Sequence, residues 1–247
     1  VGGSRSGGST GGTTPATTPA TPSPETQPIT PTPAHVFTNN VNVLQIISFL
    51  KDRIAQAKSS PSTVGLSDIS NHWSKDSINL FVKLGVVSGY EDGSFHPDAS
   101  ITRAEFATII SKAFNIHFTS NTSVVSDVDN HWAKESINAL ASHGIINGYE
   151  DGTFKPDKTI TRAEIVAIIS RVVDLNAVKK GTGTFSDIDG SWDGAQIQAA
   201  SDAGLVQGRD ASTFAPDASS TRAESLTIIL RALDLNPDIK SVLNQLK

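Results

Sequence analysis

The sequence predicts a mainly all-α fold: three helix–loop–helix repeats of one unit, arranged as a pseudo-threefold bundle. Two observations establish the repeat. The tetrapeptide Thr-Arg-Ala-Glu occurs at 102–105, 161–164 and 221–224, each time directly before an apolar run with helical spacing. Trp73, Trp132 and Trp192 precede Arg103, Arg162 and Arg222 by 30 positions in every case (103 − 73, 162 − 132, 222 − 192). The arginines step by 59 and then 60 (162 − 103, 222 − 162), so the extra residue falls in a connector and the interior of each unit is unbroken. A unit of this size cannot bury its apolar stripe alone, which predicts that the copies pack their closing helices together.

Residues 1–38 are Gly, Ser, Thr and Pro with almost no large apolar side chain, and read as a linker that cannot offset its ordering entropy. Its Pro-Thr part, Thr13 to Pro33, favours extended conformers and acts as a spacer. Such a linker at the start of the chain implies an upstream passenger, and the lack of an initiator Met fits a processed or excised chain. Residues 39–60 hold an amphipathic helix over roughly 41–58, with Val43, Leu44, Ile47, Leu50 and Ile54 on its apolar side. It is expected to cap an exposed edge of the repeat region. The repeats then occupy 61–120, 121–180 and 181–247, the last including a C-terminal helix.

Inside each unit the order is constant. A lead-in of the type Phe-Ser-Asp-Ile comes first, then a Trp opening a short helix whose apolar positions recur at Trp73, Ile78 and Phe81, at Trp132, Ile137 and Leu140, and at Trp192, Ile197 and Ala200. Gly85, Gly144 and Gly204 end these helices in the position suited to a left-handed cap. A loop comes next, Val-Ser-Gly-Tyr-Glu-Asp-Gly-Ser-Phe-His-Pro-Asp at 87–98 and a near copy at 146–157. The closing helices bury Phe106, Ile109, Ile110 and Phe114, then Ile165, Ile168, Ile169 and Val172, then Ile228, Ile229, Ala232 and Leu233.

Composition narrows the function. A net charge of −5 argues against non-specific nucleic-acid binding, and the absence of Cys excludes disulfides and thiolate metal sites. No apolar run approaches the ~20 residues that span a bilayer. Asp-x-Asp at 127–129 and 187–189 lacks the other ligands of a calcium loop, and the six His show no zinc spacing. Neither a metal nor a cofactor is expected. Nor does the sequence show the carboxylate pair or the Ser–His arrangement of a hydrolase, so no catalytic residue is assigned.

Within the tetrapeptide, Thr and Glu form a capping box that begins the helix. The Arg is unexplained by this, since a cation at the first helical position faces the positive end of the dipole, a placement disfavoured by roughly 0.3–1 kcal/mol. Three such arginines point to an anion bound at the helix start, with the free N–H groups as further donors. The competing expectation is an ion pair with the loop aspartates Asp98, Asp157 and Asp217.

Asp-x-x-x-His-Trp, Gly-Tyr-x-Asp-Gly-x-Phe-x-Pro and Ile-Thr-Arg-Ala-Glu, in register over about 66–235, together resemble S-layer homology domains in tandem. That resemblance implies a non-catalytic, secreted cell-surface module that binds pyruvylated secondary cell-wall polysaccharide in grooves between repeats, without membrane insertion and as a monomer. It implies carbohydrate contacts from Arg103, Arg162 and Arg222, from Trp73, Trp132 and Trp192, and from Gly89, Tyr90, Gly148 and Tyr149. The alternatives are the anchoring part of an S-layer lattice protein or of a surface enzyme that degrades polysaccharide. A Trp opening an amphipathic helix ordinarily packs inward, so core packing competes with groove lining for all three. The third copy replaces His-Trp by Ser191-Trp192, Gly-Tyr by Gly208-Arg209 and Asp-Gly by Ala211-Ser212. Its loop is therefore expected to bind weakly, with Arg222→Ala costing less binding than Arg103→Ala or Arg162→Ala.

Overall fold

The computed structural model describes residues 35–59, 65–118, 125–178, 181 and 184–246; of the linker expected over 1–38, residues 1–34 lie outside them, and the end at 35–38 is instead drawn onto the helical core through Phe37 and Thr38. The described residues form eight helices, with isolated bridges as their only β-type pairing. Helix α1 spans Val43–Ser59, and the opening and closing helices of the three repeats are α2 (Lys75–Lys83) and α3 (Arg103–Ala113), α4 (Lys134–Ser142) and α5 (Arg162–Ile169), α6 (Gly194–Asp202) and α7 (Arg222–Asp234). Helix α8, Pro237–Leu243, comes last, begun by Pro at its first position and by Asn236, whose side chain accepts from two backbone N–H groups.

Apart from the three tryptophans, the expected apolar stripes of all six repeat helices are buried. Gly85, Gly144 and Gly204 adopt φ of +66°, +67° and +73°, the left-handed C-terminal geometry that a Cβ would penalise. Helix α1 packs on α8 and α2 as a cap, but through Ile46, Leu50 and Ile54, one residue per turn. Val43 and Ile47 flank that stripe, and Leu44 is 78% exposed, so the apolar side expected from the sequence is rotated. Just before α1, Phe37 is buried edge-on against Phe114, and Thr38 N–H donates to the Val172 carbonyl. The β-branched Val172 and Val173 leave the helical path after α5 and supply this short pairing.

The repeats are joined in a closed cycle. Closing helix α3 packs on α4, α5 on α6, and α7 returns to α2. At the residue before each capping Thr, Ile101 N–H donates to the Ser220 carbonyl, Ser220 N–H to Ile160, and Ile160 N–H to Ile101. No repeat satisfies these groups by itself.

The lead-in Asp, to which the sequence alone assigns no role, holds the loop. Asp68 accepts from Phe95 and His96 N–H at 2.8 and 2.7 Å, Asp127 from Phe154 and Lys155, and Asp187 from Phe214 and Ala215. The second residue of each pair, His96, Lys155 or Ala215, sits at φ of 54°, 55° or 59° directly before a Pro. A side chain in that region is disfavoured, so the carboxylate is what holds the turn. For Asp68 and Asp187 burial acts to raise the carboxyl pKa, but the backbone donors outweigh it and hold both below the ordinary 3.8. Their contribution to stability is therefore complete above that value and is lost as pH falls through the folded one. Asp68→Ala should lower unfolding stability by about 1–2 kcal/mol, an amount discounted for an exposed carboxylate. In urea unfolding, the deficit should disappear at acidic pH, where the parent carboxyl is also neutral; a deficit that stays constant with pH would rule out this role.

Candidate functional site

All three capping boxes form. Thr102, Thr161 and Thr221 Oγ1 accept from the N–H of Glu105, Glu164 and Glu224, and each Glu returns a bond to the cap N–H at 2.8–3.0 Å. The remaining donors of the first turn are taken as well. Arg103 N–H donates to Lys158 O and Ala104 N–H to Pro156 O, both in the second repeat's loop. Arg162 and Ala163 do the same to Ala218 and Pro216, and Arg222 and Ala223 to Ala99 and Pro97. The expectation that free N–H groups here receive an anion is thus corrected: the next repeat's loop has already filled them. The small Ala permits that close approach.

The motif arginines are buried, at 6%, 6% and 7% relative exposure, and each lies in the loop of the following repeat. Arg103 Nε donates to Phe154 O, and its Nη1 meets Glu164 Oε1 at 3.0 Å. Its guanidinium lies over the rings of Phe154 and Tyr149, with centroids at 4.5 and 4.7 Å. Arg222 closes the cycle on the first repeat, bonding Phe95 O and Glu105 Oε1 at 3.1 and 2.9 Å and facing Phe95 and Tyr90. Arg162 enters the third loop, bonding Phe214 O and Gln207 O, with Glu224 at 3.7 Å. The arginine's partner is therefore the capping-box Glu of the next repeat. Asp98 and Asp157, expected as partners, instead accept from His72 and His131 Nε2 at 3.2 Å.

Each Glu unites two tasks, because one oxygen caps its own helix and the other neutralises a foreign arginine. At Glu164, burial acts to raise the carboxyl pKa, but Thr161 N–H, Arg103, Tyr149 and Lys158 outweigh it and hold it below its ordinary value. Tyr149 Oη donates to Glu164 at 2.8 Å and accepts from Lys158 at 3.0 Å.

The tryptophans are 63%, 66% and 71% exposed, which overturns the core-packing expectation. Each sits in the turn before its opening helix, so helical periodicity does not govern where it points. In the first two repeats His72 and His131 Nδ1 accept backbone N–H groups of that turn, with their rings 5.4 and 5.3 Å from the Trp.

These parts meet in three grooves of about 250, 200 and 220 Å³, each drawing on all three repeats. The first contains Gly89, Tyr90 and Glu105 with Trp132 and Arg222. The second contains Gly148, Tyr149 and Glu164 with Trp192 and Arg103. The third contains Gly208, Arg209 and Glu224 with Trp73 and Arg162. All ten residues singled out in the sequence thus line grooves, but in permuted sets. The arginine beside the divergent third loop is Arg162 and not Arg222. Gly89 and Gly148 also serve packing, since a Cβ at either would meet a backbone carbonyl oxygen at 2.8 or 2.7 Å. Lys112, Arg171 and Arg231 line the same grooves and were missed, although a basic residue nine positions after every motif arginine is visible in the sequence.

Among the described residues no cluster of metal-binding side chains occurs, and no helix is long and apolar enough to cross a membrane. The S-layer homology domain matches residues 65–107, 126–166 and 184–224. The chain is 37% identical over 160 residues to a cellulosome-anchoring protein of Acetivibrio thermocellus, covering 61% of this chain and 36% of that protein. It is 34% identical over 181 residues to an amylopullulanase of Thermoanaerobacterium thermosulfurigenes, covering 70% of this chain and 10% of that enzyme. It is also 29% identical over 163 residues to an S-layer protein of Bacillus licheniformis, covering 65% of this chain and 18% of the relative. The chain thus spans little more than a third of the cellulosome-anchoring protein and far less of the other two relatives. With three matched copies covering half its length and their repeated motifs joined in one closed cycle, the chain belongs to the S-layer homology domain family.

Proposed function

We propose that this chain is a non-catalytic, monomeric anchoring module that binds pyruvylated cell-wall polysaccharide in the grooves between its repeats. Family membership and its anchoring and S-layer relatives put the chain at the cell surface. The observation that carries the finer reading is the content of the first two grooves: an exposed Trp, a loop Tyr and a buried, partly neutralised Arg face one cavity. The Trp offers a flat apolar face for a sugar ring. Arg103 and Arg222 use Nε and Nη1 internally, and no hydrogen bond from Nη2 occurs among the described residues, leaving that donor for a ketal carboxylate. A charged hydrogen bond of this kind contributes roughly 1.5–3 kcal/mol. Firm anchoring then comes from two grooves engaging one repeating polymer, which multiplies affinity by about 10²–10⁴. The cyclic hydrogen bonds support a pseudo-threefold arrangement of the repeats, so that the grooves recur around one axis. The boundaries 61–120, 121–180 and 181–247 fit this reading, with 39–60 as a cap.

The test is co-sedimentation with purified cell wall before and after chemical removal of pyruvate. Binding to intact wall and its loss on depyruvylation are expected. Equal binding to depyruvylated wall would refute the carboxylate mechanism.

A further inference from the structure

The third groove has the same construction as the other two but a different charge. Arg209 stands where the other loops carry Tyr, and it is joined by Arg162 and Arg231 against the single carboxylate of Glu224. Three cations and one anion leave +2 on that lining. The first groove has Arg222 and Lys112 against Glu105, and the second has Arg103 and Arg171 against Glu164, so each is left with +1. Lys158 also approaches Glu164, at 3.8 Å, but it is bonded to Tyr149 Oη and does not line that groove.

The added charge also rearranges the pairs. Arg209 takes Glu224 through both terminal nitrogens, Nη2 at 3.4 Å with Nη1 closer. The Arg162 contact to the same carboxylate is 3.7 Å, too long for a hydrogen bond, where its counterparts are 3.0 and 2.9 Å. Arg162 Nη1 is thus released into a groove that Trp73 borders with a 63% exposed ring. Burial lowers the Arg162 pKa from its ordinary value; Glu224 and Asp187 oppose this and Arg209 reinforces it.

We infer that the third groove binds a phosphate ester carried on a sugar, with Arg162 and Arg209 on the phosphate and Trp73 against the ring. A phosphomonoester carries about −1.5 to −2 at neutral pH and three acceptor oxygens, which matches two guanidinium groups and a +2 lining better than one carboxylate does. The third copy is then a site of different specificity, in place of a weakened copy of the other two. This assignment does not depend on the pyruvylated-polymer reading, because each groove has its own Trp and reports separately.

The experiment follows the three Trp indole N–H signals of the ¹⁵N-labelled chain, assigned with Trp→Phe variants. With N-acetylglucosamine 6-phosphate, the Trp73 signal should shift saturably while Trp132 and Trp192 stay put. Inorganic phosphate should bind at least about tenfold more weakly, because it lacks the ring. Arg209→Ala should weaken the sugar phosphate by about tenfold or more, and Arg209→Tyr, which restores the pattern of the other loops, should do the same. Arg209 is an exposed loop residue, so neither variant is expected to disturb folding. A motionless Trp73 signal, equal movement of all three, equal affinity for inorganic phosphate, or an unchanged Arg209→Ala would each overturn the assignment. Failure of the pyruvate reading would appear elsewhere, as no shift of Trp132 or Trp192 with a pyruvylated saccharide.

Discussion

Glu164→Ala is expected to destabilise the chain by about 3–5 kcal/mol, the range for removing one partner of a buried ion pair. The carboxylate receives Arg103, Tyr149 and the Thr161 N–H, so its loss strands a buried guanidinium and uncaps a helix together. The damage should cross repeats, because Arg103 belongs to the first and Glu164 to the second. Arg103→Met combined with Glu164→Ala should cost clearly less than the sum of the single changes, since the second substitution no longer strands a charge. Glu164→Gln should fall between parent and Glu164→Ala: it keeps an acceptor for the Thr161 N–H but not the charge. The pH dependence has a definite sign. The folded pKa of Glu164 lies below its ordinary 4.5, so this stabilisation is complete above about that pH and fades as pH falls through the folded value. Urea unfolding across pH tests both claims. A loss under about 1 kcal/mol near neutrality would show that Arg103 is satisfied without its partner.

Removing the first two groove tryptophans together, Trp132→Ala with Trp192→Ala, should abolish wall binding and leave stability nearly unchanged. Both rings are about two-thirds exposed, so their loss opens no cavity. Loss of both sugar platforms should remove the factor of about 10²–10⁴ that bivalent engagement supplies, in addition to the contacts themselves. Wall co-sedimentation with parallel thermal unfolding measures the two effects separately. Retained binding would eliminate these grooves as the polysaccharide site. A large fall in melting temperature would mean that the rings are structural after all. The arginines are poorer probes, because Arg103, Arg162 and Arg222 are buried in the inter-repeat seam and Ala there weakens folding and binding at once.

Local patterns were legible wherever the physics is local. The capping box needs only a Thr and a Glu three residues apart, and the left-handed helix end needs only a Gly in place. The stripe Phe106, Ile109, Ile110 and Phe114 is readable because a helix repeats every 3.6 residues and one face must be buried. Trp73 escaped that logic because it lies in a turn, where spacing does not set direction. Leu44 escaped it because the partner surface on α8 and α2, and not the helix alone, selects which side of α1 is covered.

By itself, then, the sequence determined the helical class, the three repeats, their caps and ten of the residues that line the grooves. Tertiary structure decided which of them meet. The arginine of each repeat enters the loop of the next, and the third returns to the first, so that every groove mixes three copies. A fixed repeat period describes each unit in isolation and is the same whether neighbours exchange contacts or keep them. The exchange is set by groups no unit can satisfy internally: the first-turn N–H donors and a buried guanidinium, whose acceptors lie on the adjoining repeat.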